Sequence, residues 1–264
     1  MEILTAEFFQ RALIGGLLIG ITAPLIGIFL VLRRLSMIGD TLAHVTIAGV
    51  ALGFLIHANP IWMGLVFAVL ASFAIEKLRK AYKAYAELSI AIIMSGGVAL
   101  ASLFFTLGIG YNTDVLFGSI YTLSREDLYL VGAVTLVVIV IVALLFKEFF
   151  LLTFEEDAAA VSGLPVKLLN LLITVLTALV ISTAIKIVGA LLVSALITIP
   201  AACSLLIARS FKTSVIYSVI IAEIAVVIGL IMAGVWNLAP GATIVLLLIA
   251  MLIVTLVGKK GLAA

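Results

Sequence analysis

Two ionisable residues, Asp40 and His44, stand four positions apart in a stretch of sequence that is otherwise almost entirely apolar. Positions i and i+4 lie on one face of an α-helix about one turn apart, so the carboxylate and the imidazole point in the same direction. An aspartate in the middle of a membrane helix costs roughly 2.5–3.5 kcal/mol on insertion scales, so such residues usually face a cavity or a partner. Together the two side chains supply half of a site for a divalent transition-metal ion.

The composition indicates an integral membrane protein. Of the 264 residues, 66% are hydrophobic and only 11% are charged, and the mean hydropathy is +1.45. A soluble domain of this length could not bury so much apolar surface, so lipid is the solvent for most of the chain. The net charge of +2 lies in short basic clusters and does not indicate nucleic-acid binding. The single cysteine, Cys203, excludes an intramolecular disulfide and a multi-cysteine metal site.

Apolar runs of roughly 20 residues, the length that crosses a bilayer as a helix, divide the chain into membrane spans. We predict an all-α, polytopic protein in which residues 1–264 form a single transmembrane domain. The predicted spans are 12–32, 38–56, 61–75, 88–108, 128–146, 168–187, 188–208, 213–236 and 242–257. The third is short, and the sixth and seventh join without a polar loop, so the expected count is eight or nine.

The positions of the basic residues predict the orientation, because cytoplasmic loops carry an excess of Lys and Arg. If the loop after the first span is cytoplasmic, that side holds twelve basic residues: Arg33, Arg34, Lys77, Arg79, Lys80, Lys83, Lys147, Lys167, Arg209, Lys212, Lys259 and Lys260. The other side holds three, namely Arg11, Arg125 and Lys186. We therefore expect a cytoplasmic carboxyl-terminus and, with nine spans, an external amino-terminus.

A polar segment at about 153–165 interrupts the spans on the predicted cytoplasmic side. It opens with three acidic residues and an alanine, namely Glu155, Glu156, Asp157 and Ala158. Negative charge favours the start of a helix, and Gly163 favours its end. A short helix of this kind is either an ordinary capped connector or an element that docks into a groove on a cytoplasmic partner.

With these segments in place, the chain resembles the membrane permease subunit of the zinc/manganese ABC importer family. Four stretches carry the resemblance in order along the chain: Arg33-Arg34 followed by Ile38–His44 and Gly49, then Leu116–Ile120, then Glu155–Gly163, and finally Val188–Leu196 leading to Ile199–Ala202. The first stretch is the most specific, because it looks like the family's arginine, glycine-aspartate and histidine signature. The resemblance implies a single permease domain of the type II ABC importer kind.

The resemblance also implies partners and roles. Such permeases act as homodimers in the prokaryotic cell (inner) membrane, with a cytoplasmic ABC ATPase dimer that binds ATP and an external metal-binding protein. Asp40 and His44 become the metal contacts, one pair from each protomer, and the 153–165 segment becomes the helix that couples the permease to the ATPase. In one departure from the family, Asn237 stands where an aspartate often precedes Leu-Pro.

The ligand types fit some metals better than others. Two carboxylates and two imidazoles around a dimer axis give four ligands, enough for tetrahedral Zn²⁺, or for Mn²⁺ with added water, and Fe²⁺ is a further possibility. Imidazole disfavours Mg²⁺ and Ca²⁺, which prefer oxygen ligands. A transport site must release its ion, so we expect few ligands or a site that exists in one conformational state. The ion is cargo, and no permanently bound cofactor is expected.

Three further residues are candidates for the path or its shape. Glu223, midway along the eighth predicted span, lines the path, carries protons, or else forms a hydrogen bond within a helix–helix contact while protonated. His57, at the external end of the second span, is an entry ligand or an ordinary interfacial residue. Pro200 should kink the seventh span unless neighbours satisfy the carbonyl that it leaves without a donor.

The sequence argues against enzymatic activity and leaves three transport interpretations. It contains no G-x-x-x-x-G-K-[ST] phosphate loop, so the chain is not itself the ATPase, and it has neither H-E-x-x-H nor a nucleophile elbow. The leading interpretation is the permease of an ATP-driven metal-ion importer. One alternative is an importer for a metal chelate or a cobalamin-like cargo, which has no use for an Asp/His pair. The other is a proton-coupled secondary carrier, which the lack of visible internal repeats disfavours.

Overall fold

The computed structural model describes residues 6–82, 85–108, 116–119, 123–190 and 192–262. Its helices, in chain order, are α1 (Glu7–Leu32), α2 (Met37–Leu55), α3 (Pro60–Ala81), α4 (Ala86–Leu107), α5 (Arg125–Leu144), α6 (Phe146–Phe154), α7 (Glu156–Val161), α8 (Val166–Val188), α9 (Val193–Ile207), α10 (Phe211–Trp236) and α11 (Pro240–Leu262). In this part of the chain, eight helices are long and apolar enough to cross a membrane, and the apolar α9 is shorter. The predicted all-α, polytopic fold is confirmed.

Contacts between helix ends define two opposite faces of the bundle. On the first, the Glu7 face, the start of α1 forms an ion pair with Arg125 at the start of α5. On the second, the Phe211 face, the aromatic ring that begins α10 packs 5.6 Å from Phe29 near the end of α1. Because α1 runs from one face to the other, the two sets of helix ends lie on opposite sides of the membrane.

The short helix α9 completes a ninth crossing. Before it, the Leu192 side chain reaches Gly241 near the Glu7 face; after it, the chain enters α10 at the Phe211 face. The 15 residues of α9 span only about 22 Å, less than the hydrocarbon core of roughly 30 Å. The first turn of α9 therefore lies inside the membrane. The prediction of eight or nine spans is confirmed as eight long helices and one short one.

The helices differ in how deeply they lie within the bundle. In the most apolar 18-residue stretches of α2 and α8, 72% of the residues are buried, against 22% in those of α4 and α11. The close approach of α9 to α1 depends on Gly27, where a Cβ would lie 1.9 Å from the Ile197 carbonyl oxygen. The candidate metal pair thus belongs to one of the most buried helices, and glycine brings α9 close to the same region.

One predicted span is followed by a separate helix, and one predicted segment lies partly outside the described residues. The fifth predicted span, 128–146, is α5, but the chain turns at Leu145 and continues as the separate helix α6. A short re-entrant or interfacial helix is expected at Leu116–Ile120, and 109–115 and 120–122 lie outside the described residues. Within the described part, the Ser119 N–H donates to the Lys186 carbonyl at 3.0 Å, so this stretch packs against the end of α8.

Candidate metal site

Asp40 and His44 lie in the first two turns of α2, and both side chains are half-buried. The helix is regular from Met37 to Leu55, so the i, i+4 spacing places both groups on one face, as the sequence predicts. Asp40 is the acidic residue of the first turn, a position where the helix macrodipole interacts favourably with negative charge. The local fold therefore keeps the carboxylate and the imidazole side by side.

The Asp40 carboxylate also meets α9. The Ser194 hydroxyl donates a long hydrogen bond of 3.4 Å to Asp40 Oδ1. Ser194 belongs to the first turn of α9, so the amino-terminal ends of α2 and α9 approach the same carboxylate. Helix ends that lie within the membrane are typical of ion and substrate sites in transport proteins. Sequence reasoning did not identify Ser194 as a functional residue, and the only signal that could have done so was its place in the Val188–Leu196 stretch.

The His44 side chain is half-buried on α2. Among the described residues, no hydrogen-bond partner is found for it. A packing histidine would ordinarily bond to a backbone carbonyl, because a buried polar group without a partner costs free energy. Next to it, α4 approaches closely, since a Cβ at Gly97 would lie 2.7 Å from Val45 Cγ2. This contact sets the position of α4 along α2 next to His44.

One chain supplies too few ligands for a closed metal site. In the part of the chain that the structure describes, no group of three or more His, Cys, Asp or Glu side chains is placed to hold a metal ion. The Asp40 carboxylate and the His44 imidazole could supply two donors, with the Ser194 hydroxyl near the carboxylate. A metal ion held by them would need its other ligands from water or from another chain.

Glu223 lies at a different place from the pair. It is half-buried on α10, and its Oε1 is buried with no hydrogen-bond partner among the described residues. A Cβ at Gly20 of α1 would lie 2.8 Å from that oxygen. The carboxyl group therefore packs into the α1–α10 contact, in a space that glycine leaves open. The structure does not bring Glu223 together with Asp40 and His44.

His57 is exposed just beyond the end of α2, with a left-handed φ of 56°. The Ala58 N–H donates to the Gly53 carbonyl at 2.9 Å across it, a bond that closes the helix end. Pro200 lies buried inside α9, where it removes the donor for the Leu196 carbonyl. The structure thus gives His57 a helix-terminating position away from the pair, and the kink at Pro200 stays a prediction.

The predicted coupling segment forms the six-residue helix α7, from Glu156 to Val161. Ala159 is buried against the protein, while Ala158 is exposed and the Val161 side chain is 90% exposed. Gly163 follows with a φ of +80°, so it ends the helix as the sequence predicts. The helix therefore presents apolar side chains to the solvent at the Phe211 face. Glu155 and Asp157 are exposed beside them.

An ion pair joins α7 to the end of α1. The Arg33 guanidinium, whose side chain is 5% exposed, donates to Glu156 Oε2 at 3.1 Å. The Asn170 amide of α8 donates to Glu156 Oε1 at 3.1 Å. Burial lowers the pKa of the Arg33 guanidinium, while Glu156 acts to raise it. Arg33, Arg34, Arg79 and Glu156 also line a cavity of about 270 Å³ at this face.

Comparison with known proteins gives a consistent result along nearly the whole chain. The sequence signature of the ABC 3 transport family matches residues 5–259. The chain is 32% identical over 243 residues to the manganese import system permease protein ScaB of Streptococcus gordonii, covering 91% of this chain and 87% of that protein. It is 30% identical over 254 residues to a probable metal transport system membrane protein of Treponema pallidum, covering 94% and 95%.

Two solved structures share the fold. One is PsaBC from Streptococcus pneumoniae in complex with a Fab, with a TM-score of 0.85 and 30% identity over 96% of this chain and 92% of that one. The other is an inward-facing ABC transporter described as metal-chelate type, with a TM-score of 0.72 and 16% identity over 94% and 85% of the two chains. The second likeness shows the fold alone.

Proposed function

The chain belongs to the ABC 3 transport family, and on that premise we propose that it is the permease subunit of an ATP-driven importer for a divalent transition-metal ion. The family resemblance and the ABC importer permease fold that the sequence predicts are confirmed. The family consists of transport permeases rather than enzymes. The transported ion, the residues that bind it and the partner subunits belong to the proposal, as does the assignment of residues 1–264 to a single permease domain.

The observation that carries the proposal is the Asp40–His44 pair inside the membrane. Both groups lie on one face of a buried helix, and the imidazole has no bonded partner among the described residues. A carboxylate and an imidazole are ligands that divalent transition metals accept. An organic chelate would gain nothing from such a pair, and a bare ion needs it.

Manganese is the first candidate for the cargo, and zinc is the second. Several relatives, among them ScaB, are named for manganese. Two donors from each chain give four protein donors around a dimer axis. These four suit Mn²⁺ when water is added, and they would also suit tetrahedral Zn²⁺. We therefore propose Mn²⁺ as the preferred ion and Zn²⁺ or Fe²⁺ as competitors.

The proposed assembly supplies what one chain lacks. A homodimer would bring a second Asp40–His44 pair to the path and raise the number of strong donors from two to four. The exposed apolar side chains of α7 fit a groove on a cytoplasmic ABC ATPase dimer, which would bind and hydrolyse ATP. The basic residues at the Phe211 face make it the cytoplasmic face in a prokaryotic cell membrane. An external metal-binding protein would then deliver the ion to the Glu7 face.

The geometry suggests how the pair handles the ion. Asp40 supplies negative charge and His44 a neutral nitrogen, while Ser194 orients the carboxylate from α9. A site of two donors per chain binds weakly unless both chains close around the ion. A relative movement of the two chains, or of α9 against α2, would therefore switch the site between holding and releasing. ATP binding at the partner would drive that movement.

The test is metal uptake by cells that lack this gene and carry wild type, Asp40→Asn, His44→Ala or His57→Asn. We expect the first two variants to lower Mn²⁺ uptake by more than about tenfold, because even outer-shell partners of a bound metal are worth 10–100-fold. The purified complexes should still hydrolyse ATP. His57→Asn changes the only other histidine and keeps its left-handed backbone, so its uptake should match wild type.

The alternatives give different results in the same assays. Normal uptake by both Asp40→Asn and His44→Ala would refute the metal site. Transport of a metal chelate, without transport of the bare ion, would favour the chelate importer. Uptake into proteoliposomes that contain this chain alone, without ATP, would favour a proton-coupled carrier.

A further inference from the structure

The polar contact among Arg33, Glu156 and Asn170, here called the Arg33 junction, uses both oxygens of one carboxylate. Glu156 Oε2 accepts from Arg33 at 3.1 Å, and Oε1 accepts from Asn170 at 3.1 Å. The three residues come from the end of α1, from α7 and from the second turn of α8. One side chain of α7 is therefore fixed to two different helices of the membrane bundle.

The chain between Arg33 and the metal pair forms a rigid corner. The Leu35 N–H donates to the Leu30 carbonyl at 2.8 Å, and the Ile38 N–H donates to the Leu35 carbonyl at 2.9 Å. Arg34 closes the end of α1 with a left-handed φ of 58°. The helix α2 begins three residues later, at Met37. A displacement of Arg33 is thus carried directly into the first turn of α2, which holds Asp40.

Asn170 connects the Arg33 junction to α8, a helix that packs against α2. It is buried, and α8 packs against α2, α3 and α1. The Ser72 hydroxyl of α3 donates to the Thr174 carbonyl of α8 at 3.3 Å, one turn beyond Asn170. The junction therefore attaches α7 both to the corner that begins α2 and to the helix packed beside it.

We propose that Arg33 is a positioning residue that links movement of α7 to the position of the Asp40–His44 pair. This inference rests on the proposed function, in which α7 contacts an ATPase. Movement of α7 is transmitted through the Glu156 carboxylate to Arg33 and so to the chain that leads into α2. Asn170 keeps that carboxylate aligned. Arg33 itself touches no metal, and it acts through α2.

The burial of Arg33 makes the link specific. Its side chain is 5% exposed, whereas the neighbouring Arg34 is exposed and lies beside it in the chain. A buried guanidinium depends on its carboxylate, because breaking the pair leaves an uncompensated charge away from water. The Glu156 side chain is 50% exposed, so the pair is buried on the arginine side only, and the second bond from Asn170 holds the carboxylate in place. Arg33 therefore keeps Glu156 as its partner when α7 moves.

The experiment compares metal uptake with ATP hydrolysis in the same proteoliposomes, containing the permease with its ATPase and Mn²⁺ supplied with the external metal-binding protein. The variants are Arg33→Gln, Glu156→Gln, Arg33→Lys and the double exchange Arg33→Glu with Glu156→Arg. Arg34→Gln is the matched control at the adjacent exposed arginine. We expect Arg33→Gln and Glu156→Gln to lower the number of ions transported per ATP by about tenfold, within the range of coupling between two sites. Hydrolysis itself should continue.

The other variants separate coupling from folding. Arg33→Lys keeps the charge and should retain part of the transport ratio, and the double exchange should recover part of the loss in Glu156→Gln. Arg34→Gln should keep the wild-type ratio. Uptake and hydrolysis that fall together in Arg33→Gln, with no recovery in Arg33→Lys or in the double exchange, would overturn the inference and leave Arg33 a folding residue. A wild-type complex without ATP-dependent uptake would instead refute the proposed function.

Discussion

Glu223 shows how the surroundings of a residue decide between a structural and a transport role. Its carboxyl group sits against Gly20, with Oε1 buried and without a hydrogen-bond partner in the described part of the chain. A carboxylate in such a place is unfavourable, because burial of an uncompensated charge costs free energy. The acid therefore does not need its charge to hold α1 and α10 together. It also lies apart from the residues that could bind an ion.

We predict that Glu223→Gln retains metal uptake close to that of wild type and does not lower thermal stability. The amide has nearly the same shape and fits the same space beside Gly20, and it carries no charge to bury. Asp40→Asn is the matched control, since it makes the same acid-to-amide change at the proposed metal site and should lower uptake by more than about tenfold. Uptake assays and the thermal unfolding midpoint of the purified protein measure both effects. Loss of uptake in Glu223→Gln would place this acid on the ion path.

The residues of the site divide into those that local sequence predicts and those that only the fold brings together. Asp40 and His44 could be found because an i, i+4 spacing fixes their geometry within one helix. Ser194 and Asp40 are 154 positions apart, and their contact depends on where α9 begins inside the membrane. Likewise, the acidic start of α7 predicts a helix but not the choice of Arg33 as the partner of Glu156, 123 positions away.

At the scale of elements, the position of α9 is set by its contact with α1. A Cβ at Gly27 would lie 1.9 Å from the Ile197 carbonyl oxygen and 2.8 Å from the carbonyl carbon, both backbone atoms that cannot rotate away. Ser194 precedes Ile197 by one turn, so the same contact determines how closely α9 approaches Asp40. The glycine thus contributes to the candidate site from a helix that carries none of its ligands.

We predict that Gly27→Ala destabilises the protein by about 1–3 kcal/mol or more, the cost of forcing extra atoms into a packed contact. It should also lower metal uptake, because α9 must move away from Asp40. Gly96→Ala on α4 is the matched control, since nothing lies within 4 Å of its added Cβ. In a helix that change should be neutral or stabilising by up to about 1 kcal/mol. Thermal unfolding of both variants in detergent, with uptake in cells, checks the pair. Equal stability of the two variants would contradict this packing.

The helix boundaries that the sequence does not reveal share one physical cause. Apolar periodicity detects a span but not a break within a continuous apolar run. The chain turns at Leu145 between α5 and α6 without any glycine or proline, and Phe149 of α6 is fully buried beyond the turn. At the other uncertain place, Gly189 takes a left-handed φ of 88° at the end of α8. The sequence shows the glycine at that place, but it does not show that the next helix, α9, is short.

For the molecule as a whole, the number of crossings determines the side on which each segment lies. The contacts of α9 give nine crossings, so α10 starts at the Phe211 face and the turn between α10 and α11 lies at the Glu7 face. If α9 were instead a re-entrant segment that returned to its starting side, the turn between α10 and α11 would be cytoplasmic and the carboxyl-terminus external. The distribution of basic residues, twelve against three, favours the first arrangement. Leu238 in that turn therefore distinguishes the two topologies.

We predict that a membrane-impermeant maleimide labels Leu238→Cys from outside intact cells or spheroplasts, and labels Asp157→Cys only after the membrane is opened. Both positions are exposed, and the native Cys203 is fully buried, so wild type provides an almost unreactive background. Asp157 lies beside the proposed ATPase contact and marks the cytoplasmic side in either topology. Labelling of both positions only after permeabilisation would mean eight crossings. Nine crossings require the two cysteines to react from opposite sides, since α9 then carries the chain across the membrane and places its first turn, with Ser194, at the depth of Asp40.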